Sequence, residues 1–82
     1  MYQEQIRKII GDHGRLATDI SELENDSDLY AAGLTSLITV NLLLAIEDHF
    51  DVEFPDELLS RRTFQSINAL SDAVDGLVAQ PS

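Results

Sequence analysis

The hydroxyl group of Ser36 lies where a helix is expected to begin, and it is the best candidate in this chain for covalent chemistry. Free N–H groups at a helix start favour a negative charge, so a phosphodiester on the Ser36 oxygen would lie in a suitable field. Leu34 and Leu37 are expected to anchor this turn and to leave the hydroxyl outside. The simpler interpretation is that Ser36, or Thr35 before it, only caps the helix.

The other polar side chains offer little catalytic chemistry. The chain has no cysteine, which excludes a thiol nucleophile and a cysteine-ligated zinc site. Ser36 and His49 would lie about 20 Å apart along one helix, too far for a hydrogen-bonded triad, and His13 falls at a helix end. Asp26 and Asp28 lack the glycine and the closing glutamate of a calcium loop. The sequence therefore predicts a protein that is not an enzyme and holds no metal.

The charge of the chain is strongly acidic and unevenly distributed. The formal net charge is −10, and no lysine or arginine lies between Arg15 and Arg61, whereas eleven acids lie from Asp19 to Glu57. Phosphate backbones and anionic membranes repel such a surface, so we expect no nucleic-acid or membrane partner. A basic protein surface is the natural partner, although the acids could simply keep a small protein soluble.

The length of 82 residues allows one domain. We expect a single domain over residues 1–82, ordered from about 2 to 78, with a C-terminal tail from Ala79 that frays. The start lacks the pattern of a secretory signal, and the longest apolar run, Leu42 to Ile46, is too short to span a bilayer. These features favour a cytoplasmic monomer.

Apolar residues at helical spacing predict a first helix that ends between Gly11 and Gly14, with Gly14 as its stop, and a last helix that Ser66 caps. The expected stripe of the first helix is Tyr2, Ile6, Ile9, Ile10 and His13, and that of the last is Ile67, Leu70, Val74, Leu77 and Val78. Between the first two helices, residues 16–35 show no sustained period. A loop this long is usually functional, and the apolar pairs Ile20/Leu23 and Leu29/Tyr30 are expected to hold it on the core.

The second helix is predicted to begin at Thr35–Ser36 and to end near Phe50 or Asp51. Its expected buried stripe is Leu37, Val40, Leu43, Leu44 and Phe50. Pro55 suits the start of a brief helix over residues 56–60, with Leu58 and Leu59 turned inward. The fold class is therefore all-α: a small four-helix bundle, with three main helices plus one short helix and a long ordered first loop.

The residues around Ser36 resemble the attachment motif of acyl and peptidyl carrier proteins. The run Gly33-Leu34-Thr35-Ser36-Leu37 is similar to the family motif Gly-x-Asp-Ser-Leu. The lead-in at residues 28–30, the second helix and its exit at residues 40–56, and the entry to the last helix at residues 63–67 resemble the same family. The resemblance covers essentially the whole chain and implies an acyl-carrier-protein-like fold.

The resemblance implies that Ser36 receives 4′-phosphopantetheine covalently from coenzyme A through a phosphopantetheinyl transferase. The thiol of that arm would carry an acyl or aminoacyl group as a thioester. An acyl or aminoacyl ligase and downstream transfer enzymes would be the partners. The implied partner-binding residues are Thr35, Leu37, Asn41, Glu47, Asp48, Asp56 and Glu57.

Departures from the family pattern indicate a specialised carrier. Thr35 replaces the usual aspartate, which leaves open which transferase modifies Ser36, and Asn41 stands where fatty-acid carriers commonly have glutamate. Arg61–Arg62 interrupts the acidic surface. The sequences of residues 28–36 and 54–64 resemble those of bacterial amino acid carrier proteins that are loaded by ligases similar to seryl-tRNA synthetase. A core of bulky side chains also argues against a long acyl chain as the cargo, because the chain would have to displace them. An ordinary fatty acyl or polyketide carrier, and a non-covalent acidic helical adaptor, remain the alternatives.

Overall fold

A computed structural model describes residues 2–13, 16 and 18–79 of the protein. This part of the chain is all-α, with no strand, and α1 packs against both α2 and α3. The helices are α1 (Gln3–His13), α2 (Ser36–Phe50) and α3 (Ile67–Ala79), with 3₁₀ helices at Ile20–Glu22 and Asp56–Leu58. The predicted fold class is confirmed, and the short fourth helix is a single 3₁₀ turn. No helix in the described ranges is long and apolar enough to cross a membrane.

One apolar core lies where the three α-helices meet. Its fully buried hydrophobic side chains are Ile6, Ile10, Leu29, Leu42, Ile46, Ile67, Leu70 and Val74. Helices this short are marginal in isolation, so this shared burial stabilises all three. The predicted stripes of the first and last helices are confirmed at their isoleucine, leucine and valine positions except Val78, which is exposed, as is His13.

The orientation of α2 about its axis differs from the prediction. Leu37, Val40 and Leu44 of the expected buried stripe are 73%, 51% and 59% exposed, whereas Leu42 and Ile46 are fully buried. Residues 37–46 are apolar at every position except two, so the apolar pattern marks no single face. Packing against α1 selects the face, and it leaves an apolar stripe on the surface.

The long loop between α1 and α2 is ordered through polar and apolar contacts. Leu29 is buried, as predicted, and its N–H group donates to the Gln65 carbonyl at 2.7 Å. The guanidinium of Arg7 donates to the carbonyl oxygens of Ile20 and Leu23 at 2.8 and 2.7 Å. Its second nitrogen donates to Asn25 Oδ1 at 2.8 Å. A charged residue of α1 therefore holds the loop in place, a role that the apolar pattern did not reveal.

The helix ends agree in part with the predicted capping residues. The Ser66 hydroxyl accepts a hydrogen bond from the Ala69 N–H at 3.0 Å, which confirms the predicted cap of α3. α2 ends at Phe50, and Asp51 follows in the left-handed conformation with φ 54°. Leu59 is exposed rather than turned inward. The predicted tail starts one residue too early, because Ala79 is the last residue of α3. The predicted stop at Gly14 and the rest of the predicted tail, residues 80–82, lie outside the described residues.

Candidate functional site at the start of α2

The cap of α2 is Thr35, and this leaves the hydroxyl of Ser36 available. Thr35 Oγ1 accepts a hydrogen bond from the Ile38 N–H at 3.2 Å, and the Thr35 backbone is extended, as a capping residue requires. Ser36 is the first residue of α2, is exposed, and makes no side-chain hydrogen bond with any described residue. The interpretation that Ser36 itself caps the helix is therefore wrong.

A tight turn before α2 fixes the direction in which the helix starts. Gly33 has φ 115°, a conformation that side-chain-bearing residues rarely adopt. Leu34 is buried, and its N–H group donates to the Leu29 carbonyl at 3.0 Å. Leu34 thus anchors the turn as predicted, but Leu37 is exposed and does not. The result is an exposed serine hydroxyl on a rigid helix start.

An open groove of about 400 Å³ begins at Ser36. The residues that line it come from α2, from the segment before α3, and from the loop before α2. They are Tyr30, Ser36, Thr39, Val40, Leu43, Leu59, Ser60, Arg61 and Phe64. Across this groove the Arg61 guanidinium carbon lies 4.0 Å from the centroid of the Tyr30 ring. The free N–H groups of the helix start suit an anionic group on Ser36.

The predicted partner-binding residues lie on two surfaces and do not all have free side chains. Thr35, Leu37, Asn41 and Asp48 are exposed on or beside α2, and Asp56 and Glu57 are exposed on the second 3₁₀ helix. Glu47 differs from these in being half-buried, and its carboxylate accepts a hydrogen bond from the Phe54 N–H at 2.8 Å. Glu47 therefore stabilises the chain where it leaves α2.

The remaining candidate residues are not brought together with Ser36. His49 lies at the far end of α2, where its ring contacts Phe50 with a centroid distance of 4.7 Å. The described residues include no cluster of histidine and acidic side chains that could hold a metal ion. The contact between Tyr30 and Arg61 was not predicted from the sequence, because these residues are far apart in the chain and no local sequence pattern pairs them.

Comparisons with known proteins identify the kind of site that this geometry forms. The family model described as "Phosphopantetheine attachment site" matches residues 4–74. The chain is 49% identical over 69 residues to an aminoacyl carrier protein of Agrobacterium fabrum, covering 84% of this chain and 83% of that protein.

Solved structures of carrier proteins have the same fold. One match lies in the crystal structure of an engineered Bradyrhizobium japonicum glycine:[carrier protein] ligase complexed with a carrier protein from Agrobacterium tumefaciens and ATP. Its TM-score is 0.88 at 44% identity, covering 94% of this chain and 100% of that one. A holo acyl carrier protein of Nitrosomonas europaea matches with a TM-score of 0.81 at 29% identity, covering 93% and 94%.

The exposed Ser36 lies inside the range that the family model matches, within a run similar to the family's attachment motif, and the whole fold agrees with solved members. The chain therefore belongs to the family of carrier proteins with a phosphopantetheine attachment site, and its cofactor is 4′-phosphopantetheine.

Proposed function

We propose that this protein is an aminoacyl carrier protein that holds 4′-phosphopantetheine on the Ser36 oxygen. The observation that carries the proposal is the exposed, unbonded Ser36 hydroxyl at the first position of α2, beside an open groove. A phosphopantetheinyl transferase joins the Ser36 oxygen to the phosphorus of the arm. The adenine nucleotide half of coenzyme A leaves, and the transferase takes the serine proton. The arm supplies a thiol that holds cargo as a thioester.

The chain's own residues position the attachment oxygen and perform no bond-breaking step. Thr35 caps the helix and so keeps the Ser36 hydroxyl free of that role. Leu34 and Leu29 hold the turn on the core, which gives the attached arm a fixed origin. Activation and transfer of the cargo belong to partner enzymes, so the protein itself is not an enzyme.

The proposed cargo is an amino acid, with glycine as the first candidate. The aminoacyl carrier relative and the carrier protein complexed with a glycine:[carrier protein] ligase both support it. The proposed loading partner is an ATP-dependent ligase similar to that enzyme. Tight packing of the core does not exclude a longer acyl chain as the cargo, because an open apolar groove lies beside Ser36. That groove is the observation that favours the second candidate function, an ordinary acyl carrier.

The proposed partner surface is the exposed side of α2. Leu37, Val40 and Leu44 form an apolar stripe there, and Asn41 and Asp48 are exposed on the same helix. Exposed apolar stripes with polar margins are typical of protein interfaces. A partner with apolar side chains and basic residues would match this surface. Asp56 and Glu57 extend its acidic part beyond α2.

Intact mass after incubation with coenzyme A and a broad-specificity transferase tests the attachment site. We expect one added phosphopantetheinyl group on the wild type and none on Ser36→Ala. Ser60→Ala is the matched control, since Ser60 lines the same groove, and it should be modified normally. Modification of Ser36→Ala would overturn the assignment of Ser36.

A second measurement tests the cargo. The pantetheinylated protein is offered in parallel to a glycine:[carrier protein] ligase with ATP and several small amino acids, and to an acyl–carrier ligase with long fatty acids. We expect aminoacylation of the wild type. Efficient fatty acylation with no aminoacylation would replace the aminoacyl carrier with the ordinary acyl carrier.

A further inference from the structure

The groove beside Ser36 contains one charged side chain, and its charge is positive. Among the lining residues in the described part of the chain, Arg61 is the only one with a formal charge. Arg61 and Arg62 are also the only lysine or arginine residues that follow Arg15 in the sequence. Arg62 lines a different surface cavity, together with Glu57 and Asp72. An otherwise acidic protein therefore places a single arginine in the groove at its attachment serine, where the other lining residues are uncharged.

The position of Arg61 is set by an aromatic ring rather than by a carboxylate. Its guanidinium carbon lies 4.0 Å from the centroid of the Tyr30 ring, within the range of a cation–π contact. No described residue forms a salt bridge with Arg61, so no carboxylate in the described part of the chain pairs with its charge. Tyr30 is half-buried and packs against the core, which gives the guanidinium a firm support. The contact joins two of the three segments that form the groove.

Cargo attached through Ser36 would encounter this groove at high effective concentration. Ser36 itself is one of the lining residues, so a group on its flexible arm is tethered to the groove. The lining also includes Val40, Leu43, Leu59 and Phe64, which favour the burial of an apolar side chain. Cargo that enters the groove is less accessible to a transfer enzyme. The fraction of cargo that lies in the groove rather than in solvent therefore affects how readily the cargo is transferred.

We propose that Arg61 is a specificity-determining residue that keeps ammonium-bearing cargo out of the groove and so leaves it exposed for transfer. The inference rests on the proposed attachment of the arm at Ser36. An amino acid held as a thioester keeps a free amino group, which is a cationic ammonium group when protonated. The Arg61 guanidinium repels this ammonium, whereas a neutral acyl group of the same size enters the groove freely.

The test compares two cargos that differ in one group. The wild-type protein is loaded by a transferase from the coenzyme A thioesters of leucine and of its 2-hydroxy analogue, in which a hydroxyl replaces the ammonium group. No ligase is needed, so the result does not depend on the proposed loading partner. NMR amide shifts of Val40, Leu43 and Phe64, relative to the unloaded holo-protein, report how much of each cargo occupies the groove.

We expect the hydroxy cargo to occupy the groove about three- to tenfold more than the leucyl cargo, the effect of two like charges about 6 Å apart in a groove open to water, where the effective dielectric constant is about 40 to 80. Arg61→Gln should remove most of this difference, and Arg61→Lys should retain it. Arg62→Gln is the matched control and should behave like the wild type. Tyr30→Leu should reduce the difference, since the guanidinium loses its support. Raised salt should also reduce it.

Two results would overturn the proposal: equal shifts for both cargos in the wild type, or a difference that persists in Arg61→Gln. Amide shifts remote from the groove show whether each variant is folded. If the transferase adds nothing to Ser36, the proposed function fails separately. The same pair of cargos is then joined to Ser36→Cys through a disulfide-linked arm, and the role of Arg61 is decided on that protein.

Discussion

The Glu47 carboxylate accepts a hydrogen bond from the Phe54 N–H at 2.8 Å, seven residues further along the chain. The Phe54 ring stacks on the Phe64 ring with centroids 6.0 Å apart, and Phe64 lines the groove that begins at Ser36. Glu47, on the fourth turn of α2, thus supports one wall of this groove. An acid predicted to meet a partner protein also stabilises the chain where it leaves α2.

Replacement of Glu47 should therefore destabilise the protein. Glu47→Ala leaves the half-buried Phe54 amide unsatisfied, and we expect it to lower the free energy of unfolding by about 1–3 kcal/mol. Asp48→Ala removes an exposed neighbouring acid and should change that free energy by less than about 0.5 kcal/mol. Urea unfolding followed by circular dichroism measures both variants. Equal stabilities would show that the Glu47 hydrogen bond contributes nothing.

Thr35 should influence both the stability of α2 and the modification of Ser36. Thr35→Ala removes the cap and should cost about 1 kcal/mol, whereas Thr35→Asp keeps a cap and adds a charge that the helix dipole favours. Thr35→Asp also restores the family's usual residue. We expect a general phosphopantetheinyl transferase to modify Thr35→Asp faster than the wild type, as measured by the initial rate of mass gain. Thr35→Asn, a neutral cap, is the control.

Arg7 should stabilise the loop before α2 without contributing to the core. Arg7→Met keeps much of the side-chain length but removes three hydrogen bonds to residues 20, 23 and 25. We expect faster amide hydrogen exchange across residues 18–28 and a loss of about 1–3 kcal/mol in the free energy of unfolding. Lys8→Met, at an exposed position of α1, should change neither the amide exchange rates nor the free energy of unfolding. Unchanged exchange in Arg7→Met would contradict this role.

The two faces of α2 should separate binding from stability. Leu42→Ala empties a fully buried position and should cost about 2–5 kcal/mol. Leu44→Ser alters an exposed position and should change stability by less than about 0.5 kcal/mol, yet weaken binding to the proposed loading ligase. Calorimetric titration of the holo-protein with that ligase measures the affinity. Normal affinity of both Leu44→Ser and Leu37→Ser would exclude the apolar stripe from the interface.

Asp19 should titrate below its ordinary range. Its carboxylate accepts hydrogen bonds from the Ser21 backbone N–H and then from the Ser21 hydroxyl, and both lower the pKa of Asp19 below 3.8. Because the pKa is lower in the folded state, the stabilisation is present above the unfolded pKa and is lost as pH falls through the folded one. An NMR titration of the Asp19 carboxyl carbon measures the shift, and Ser21→Ala should return the pKa toward 3.8.

The local features of this protein were determined by the sequence alone. Three such features lie where they were predicted: the cap at Ser66, the start of α2 at Ser36 and its end near Phe50. Each depends on residues within a few positions of one another. The attachment motif is equally local, since a helix start, a turn and a serine lie within residues 33–37. Short-range hydrogen bonding and backbone preferences decide such features, so a linear pattern can reveal them.

Only the tertiary structure decided which face of α2 is buried and what surrounds Ser36. Residues 37–46 are apolar nearly all round, so the rotation of the helix depends on contacts with α1 and not on its own pattern. Arg61 meets Tyr30, and Arg7 meets the loop before α2, across separations in the chain that carry no periodic signal. Each contact forms because the shared core fixes distant segments beside one another, and the charge in the groove at Ser36 is a product of that packing.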